Sequence, residues 1–270
     1  MLQNCVVRSS HVAPVRAFVK SGVDIYTCPT CGCIMGDLAF HHDQYESGAY
    51  YTLATRDKAE IEAEWGFRWR YLLDMIRRYA DNPRVLDVGA GNGYFVWLAR
   101  TERGWRADGL EISEAEAQFA RETFNVEFLP TTLDALTDQY DVITSFNVLE
   151  HVTDPLGLLR SMNSHIRPGG HLLLTTPNPS CIHRRLRGLQ KWGMVAPPHH
   201  INLFTRRALT EALEQTGFEV LEYQTLSTYI RRVRSFDTQS LLLRRAVFQA
   251  LKAGNLGADH GVICRKIAKS

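Results

Sequence analysis

The chain has 270 residues, 45% hydrophobic and 22% charged, with a formal net charge of +2. That profile excludes a disordered, fibrous or membrane-spanning chain, and the length supports a core of apolar side chains without disulfide staples. Charge is divided unevenly, with 14 Lys/Arg against 22 Asp/Glu in residues 1–150 and 17 against 7 in residues 151–270.

Residues 1–49 combine turn formers, histidines and four of the six cysteines: Cys5, Cys28, Cys31 and Cys33. No sustained periodicity runs through them, so they read as a small irregular module. No charged-then-apolar leader precedes it, and no uncharged apolar run reaches the roughly 18–20 residues of a membrane span, so the expected setting is the reducing cytoplasm. There, clustered cysteines point to metal more than to disulfides. Cys28-Pro-Thr-Cys31-Gly has the spacing of a zinc knuckle. With Cys5, 23 residues earlier, it offers three ligands, and His11, Cys33, His41 or His42 is left as the fourth; the alternative is a degenerate ribbon that folds without metal.

From Thr55 to Tyr79 the residues Ile61, Trp65, Trp69, Leu72, Leu73 and Ile76 recur at helical steps, giving a linking helix within residues 50–82 that Asn82-Pro83 ends. Strand and helix then alternate. Strands are expected at Arg84–Val88, Arg106–Leu110, Val126–Leu129, Tyr140–Phe146 and His171–Thr176, with helices at Tyr94–Arg103, Ser113–Phe124 and Pro155–His165. Such alternation predicts an α/β, doubly wound, mostly parallel sheet over residues 83–270. An insertion at 178–204 is followed by a helix capped by Thr205 and stopped by Gly217, a strand at Glu219–Thr225, a helix at Thr238–Lys252 and a strand at Gly261–Ile267.

Val85-Leu-Asp-Val-Gly-Ala-Gly-Asn-Gly-Tyr94 carries the most chemistry. A buried strand runs through glycines into a helix, exposing backbone N–H groups to a ligand. The spacing G-x-G-x-G departs from the dinucleotide fingerprint, and Asp87 would repel a pyrophosphate yet suit an ammonium group. Glu111, at the end of the second strand, is placed to accept hydrogen bonds from ribose hydroxyls, with Ile112 beside it for an adenine face.

In this order, V-L-D-V-G-A-G-N-G (85–93), L-E-I-S (110–113), D-V-I-T-S-F-N-V-L-E-H-V (141–152) and R-P-G-G-H-L-L-L-T-T-P-N (167–178) resemble the class I S-adenosylmethionine-dependent methyltransferases. The likeness is closest to the group that includes the ubiquinone-biosynthesis O-methyltransferases and covers about Arg56–Lys269. It implies a seven-stranded Rossmann-like sheet whose last strand is antiparallel, with S-adenosylmethionine as cofactor. It places the methionine end at Asp87, Gly89, Ala90, Gly91 and Gly93, the ribose at Glu111, the adenine at Ile112, Thr132 and Leu133, and the cofactor ammonium at the carbonyl of Asn147. The loop at 131–139 lacks the family's usual Asp-then-apolar pattern. Related enzymes also begin with a four-cysteine ribbon, of which Cys5 lacks its knuckle partner, and the segment Asp43–Tyr51 resembles a tyrosine-rich link that helps close the cofactor pocket.

Methyl transfer to a hydroxyl needs a base, and His151, His199 and His200 are the candidates. The expected acceptor is a small molecule, presented at an oxygen or nitrogen. Arg184, Arg185, Arg187 and Lys191 in the insertion suggest that it is anionic. A nucleic-acid acceptor is disfavoured because the fourth strand ends in F-N-V-L rather than N-P-P-Y. The remaining alternative is a cofactor-binding protein without transfer chemistry.

Overall fold

A computed structural model describes residues 3–37, 57–227 and 249–267. The link Asp43–Tyr51, His41, His42, most of the helix expected at Thr238–Lys252, and Arg231, Arg232, Arg234, Arg244 and Arg245 lie outside the described residues.

The first strands are β1 (Val15–Lys20), β2 (Val23–Thr27) and β3 (Ile34–Gly36). Helix α1 (Lys58–Arg77) begins where Asp57 accepts the Glu60 N–H, and it buries Ile61, Leu72, Leu73, Met75 and Ile76. Then come β4 (Arg84–Val88), α2 (Tyr94–Arg103), β5 (Arg106–Leu110), α3 (Glu114–Phe124), β6 (Tyr140–Phe146), α4 (Pro155–His165) and β7 (Ile166–Pro177). The chain closes with α5 (Ile182–Arg187), β8 (Asn202–Leu203), α6 (Arg206–Gln215), β9 (Phe218–Leu226) and β10 (Asp259–Lys266).

The large sheet has the order β5-β4-β6-β7-β10-β9. Strands β5, β4, β6 and β7 run parallel, while β10 is antiparallel to both β7 and β9. Because helices cover both faces, the central strands are apolar on both sides: Val85, Leu86 and Val88 of β4 are all buried. One face packs on α1–α3 through Leu72, Tyr94, Phe95 and Phe124, and the other on α4 and α6 through Leu159, Met162, Leu209 and Leu213.

Two expectations need correction. Val126–Leu129 is not a strand, so the described sheet has six strands rather than seven. Leu129 gives one N–H to the Gly109 carbonyl, after which Pro130 has no N–H with which to continue a ladder. Its side chains are used in packing instead, since Phe128 and Val126 close over Gly93 and Phe128 also covers Gly109.

Nor is the N-terminal segment irregular. Strands β1–β3 form an antiparallel sheet whose fourth strand is β8, from the insertion. Ile25 and Ile34 share a small core with Cys181, Trp192, Val195 and Leu203. Thr205, the N-cap of α6, gives its hydroxyl to the Cys31 carbonyl, and Gln215 donates to the Val7 carbonyl. The ribbon and the insertion are thereby one packed unit.

Candidate active site

The carboxyl ends of β4, β5 and β6 open into a cavity of about 810 Å³, within the range of roughly 300–1,000 Å³ typical of small-ligand sites. Asp87, Gly89, Ala90, Gly91, Glu111, Ile112, Thr132, Leu133, Asn147, His151 and His200 all line it. Gly93 and His199 do not. Gly93 is the left-handed N-cap of α2, and a Cβ there would press on Ala120, so its absence serves packing.

The loop is shaped by backbone freedom. Gly89 has φ +76° and a Cβ there would collide with Val148, whereas Gly91, at φ +51°, faces open space. Asp87 is 2% exposed and accepts the Thr144 hydroxyl at 2.7 Å; burial pushes its carboxyl up to about 8. Glu111 is fixed by three main-chain donors: Gly91 N–H at 2.7 Å to one oxygen, and Ile112 and Ser113 N–H at 2.9 and 2.8 Å to the other. That clamp ties the second strand's acid to the glycine loop.

Asn147 adopts a left-handed φ of +57°, and its side-chain oxygen accepts from Thr175 at 2.9 Å. Beside it stands Arg68 of α1, 8% exposed and lining the cavity. It reaches across to Asp259 of β10 at 2.6 Å, and its Nε is buried with no hydrogen-bond partner. Trp65, Trp69, Phe95 and Phe146 complete this wall, with the Trp69 and Phe146 rings 4.9 Å apart edge to face.

At the far side Glu150, His151 and His200 bring one ligating atom each within 4.8 Å of one another. His151 Nδ1 lies 2.9 Å from the His199 carbonyl, and His200 Nδ1 donates to the Met194 carbonyl at 2.8 Å. A carbonyl only accepts, so the proton of neutral His200 is on Nδ1 and its lone pair on Nε2; the His151 ring also meets the Asn147 carbonyl, and when neutral it has one proton for its two carbonyl partners. Burial lowers His151 to about 4 and lowers His200 as well, which keeps both rings neutral near pH 7. Glu150 is fully buried, takes the Thr176 hydroxyl at 2.9 Å, and has its other oxygen without a hydrogen-bond partner, 3.9 Å from His151 Nε2. Burial raises its carboxyl to about 7.

Sequence reasoning missed Arg68 and gave Glu150 no part in the chemistry. The first sits in a helix whose apolar spacing hides it; the second is adjacent to His151 and its Leu-Glu-His context was the available signal. Conversely, Arg184, Arg185, Arg187 and Lys191 do not line the cavity, and Trp192 is buried in the ribbon core, so the insertion supplies no cationic wall.

Away from the cavity, one ligand atom each of Cys5, His11, Cys28 and Cys31 lies within 4.8 Å of the others. Cys5 and Cys31 sulfurs are 3.6 Å apart and Cys28 sulfur is 3.7 Å from His11 Nδ1. Tetrahedral zinc with bonds of about 2.0–2.3 Å needs ligand atoms roughly 3.5–3.8 Å apart, so the donor set fits. His11 Nε2 lies 3.1 Å from Glu211, a carboxylate that orients the imidazole. His11 thus takes the position left open in the sequence.

A glycine loop entering a helix, an acid at the next strand's end and an antiparallel penultimate position in the sheet define a class I S-adenosylmethionine-dependent methyltransferase. The chain belongs to that family: the methyltransferase domain family model matches residues 60–223. It is 27% identical over 186 residues to the ubiquinone biosynthesis O-methyltransferase of Marinobacter nauticus, covering 60% of this chain and 76% of that one. It is 35% identical over 127 residues to the tRNA U34 carboxymethyltransferase of Pseudoalteromonas translucida, covering 43% of this chain but 39% of the relative. Among solved structures, a complex of the Haloferax volcanii Trm112 methyltransferase activator with a putative methyltransferase aligns with TM-score 0.57 at 18% identity, over 83% of this chain and 98% of that one. Among the described residues no helix is long and apolar enough to cross a membrane.

Proposed function

We propose that the protein transfers the methyl group of S-adenosylmethionine to an oxygen of a small molecule held between the cofactor and the His151–His200 pair. The observation that carries this reading is the cavity joining the glycine loop to two buried imidazoles that stay neutral near pH 7, each with one basic ring nitrogen. The cofactor's ribose would meet Glu111 and its ammonium the Asp87 side and the Asn147 carbonyl, while Arg68 offers its buried guanidinium to the carboxylate. Ile112, Thr132 and Leu133 border the base.

The bound cofactor supplies an activated methyl carbon, so the chain's task is alignment and removal of one proton. With the cofactor bound, His151 would take the acceptor's hydroxyl proton on its unprotonated ring nitrogen as that oxygen receives the methyl group. Glu150 stands beside the imidazolium so formed, and the low dielectric strengthens that attraction. The ribbon would hold structural zinc at Cys5, His11, Cys28 and Cys31.

The test is transfer of labelled methyl from S-adenosylmethionine into small-molecule extracts. His151→Ala is expected to lower kcat about 100-fold or more with cofactor affinity kept, and His200→Ala to raise KM chiefly. Undiminished turnover in His151→Ala rejects the assigned base. A tRNA acceptor is the competing reading, raised by the name of one relative; label entering RNA, with steeply salt-dependent binding, would favour it.

A further inference from the structure

Four acids line the cavity: Asp87, Glu111, Glu116 and Glu150. Glu116 has no place in the transfer described above. It lies in the first turn of α3, three residues after the N-cap Ser113, and Ser-x-x-Glu at that position is the sequence of a capping box. In a capping box the glutamate reaches back to the N–H of the cap residue. Here that N–H is already given to Glu111 at 2.8 Å. Glu116 is 2% exposed and lines the cavity, and its Oε2 is buried without a hydrogen-bond partner. A buried carboxyl left in this state costs folding free energy that a ligand would return.

Its surroundings indicate which ligand. Glu116 shares its stretch of cavity wall with Ile112, Thr131, Thr132 and Leu133, the end assigned above to the base, and residues 131–133 contribute no acid. Accepting that assignment of the cofactor, we infer that Glu116 reads the adenine edge, its carboxyl oxygen accepting from the exocyclic amine and its carboxylic O–H donating to ring N1. Burial and the nearby Glu111 carboxylate hold Glu116 up at about 7, so the protonated form is available near neutrality. A carboxyl proton can sit on either oxygen, so hypoxanthine would be matched as well as adenine; a 1-deazapurine base without the 6-amino group instead removes both partners, the donor at C6 and the acceptor at N1.

Titration calorimetry with S-adenosylhomocysteine and its analogue bearing 1-deazapurine without the 6-amino group separates the possibilities. The wild type is expected to prefer the adenine compound by roughly 10- to 100-fold, the effect of two lost hydrogen bonds. Glu116→Gln, whose amide offers the same acceptor and donor, should keep that preference. Glu116→Ala and the better-filling Glu116→Leu should reduce it to within about threefold while remaining folded by circular dichroism. An undiminished preference in either apolar variant, or no preference in the wild type, overturns the inference and leaves the cofactor assignment standing. A wild type that binds neither compound contradicts the assignment itself, and this inference with it.

Discussion

Asp87 shows how one residue can be unfavourable for the empty fold and still suit a cationic ligand. It sits at the centre of a parallel sheet, on a strand whose other residues are mostly apolar, and the Thr144 hydroxyl only partly offsets the loss of water. Its folded value of about 8 lies above the roughly 3.9 of an unfolded aspartate. The protonated form is therefore favoured by folding, and the stability it confers is complete below about pH 3.9 and lost as pH rises through about 8. Glu116 and Glu150, each raised to about 7, titrate in the same window. Melting temperatures of the cofactor-free protein should thus fall from pH 5 to pH 8, and Asp87→Asn should flatten that slope. S-adenosylmethionine, whose ammonium favours the charged carboxylate, should recover more stability at pH 8 than at pH 5. Equal slopes for wild type and Asp87→Asn in scanning fluorimetry would remove Asp87 from this role.

Among the elements, the ribbon and the insertion depend on each other. Strand β8 has two residues and pairs as the outer strand of the N-terminal sheet, while Met194 and His200, a few residues earlier, line the cavity. The four metal-fitting residues lie at the ribbon's contact with α6, where Thr205 holds the Cys31 carbonyl and Glu211 faces His11. Zinc should be present at one per chain by elemental analysis. Cobalt substitution should give the intense thiolate charge-transfer and tetrahedral d–d bands of a site with three thiolates and one imidazole, and His11→Ala should weaken metal retention. Removing zinc with a chelator should lower the melting temperature and raise the acceptor KM more than the cofactor Kd. A metal-free protein with unchanged melting temperature after chelator treatment would count against the site. The sequence showed the knuckle at Cys28–Cys31 and the distant Cys5, because thiolate spacing is local. It could not select His11 from four candidates, since that choice is made by the fold bringing residues 5, 11 and 31 together.

Across the whole molecule, the alternating α/β frame and most of its element boundaries were legible, because a buried parallel strand and an amphipathic helix carry distinct periods. Val126–Leu129 was misread since its apolar residues pack beneath the glycine loop rather than pairing, a tertiary outcome that a four-residue pattern does not reveal. The same limit hid Arg68. Its partner Asp259 is 191 positions away, and the pair joins α1 to β10 beside Asn147, so the first helix and the last strand are tied at the cavity wall. Breaking such a buried pair from one side would leave a charge unpaired, so Arg68 and Asp259 hold each other in place although Arg68 Nε has no hydrogen-bond partner.

The central claim is that the glycine loop binds S-adenosylmethionine. Gly91 lines the cavity, and a side chain there would meet no protein atom within 4 Å at its Cβ, so Gly91→Arg fills ligand space at a backbone cost of only about 1 kcal/mol. Calorimetric titration of the wild type with S-adenosylmethionine should give one site per chain. Gly91→Arg, with an intact melting transition, should bind at least about 100-fold more weakly, a loss of nearly 3 kcal/mol. Equal affinity in the two proteins would contradict that claim.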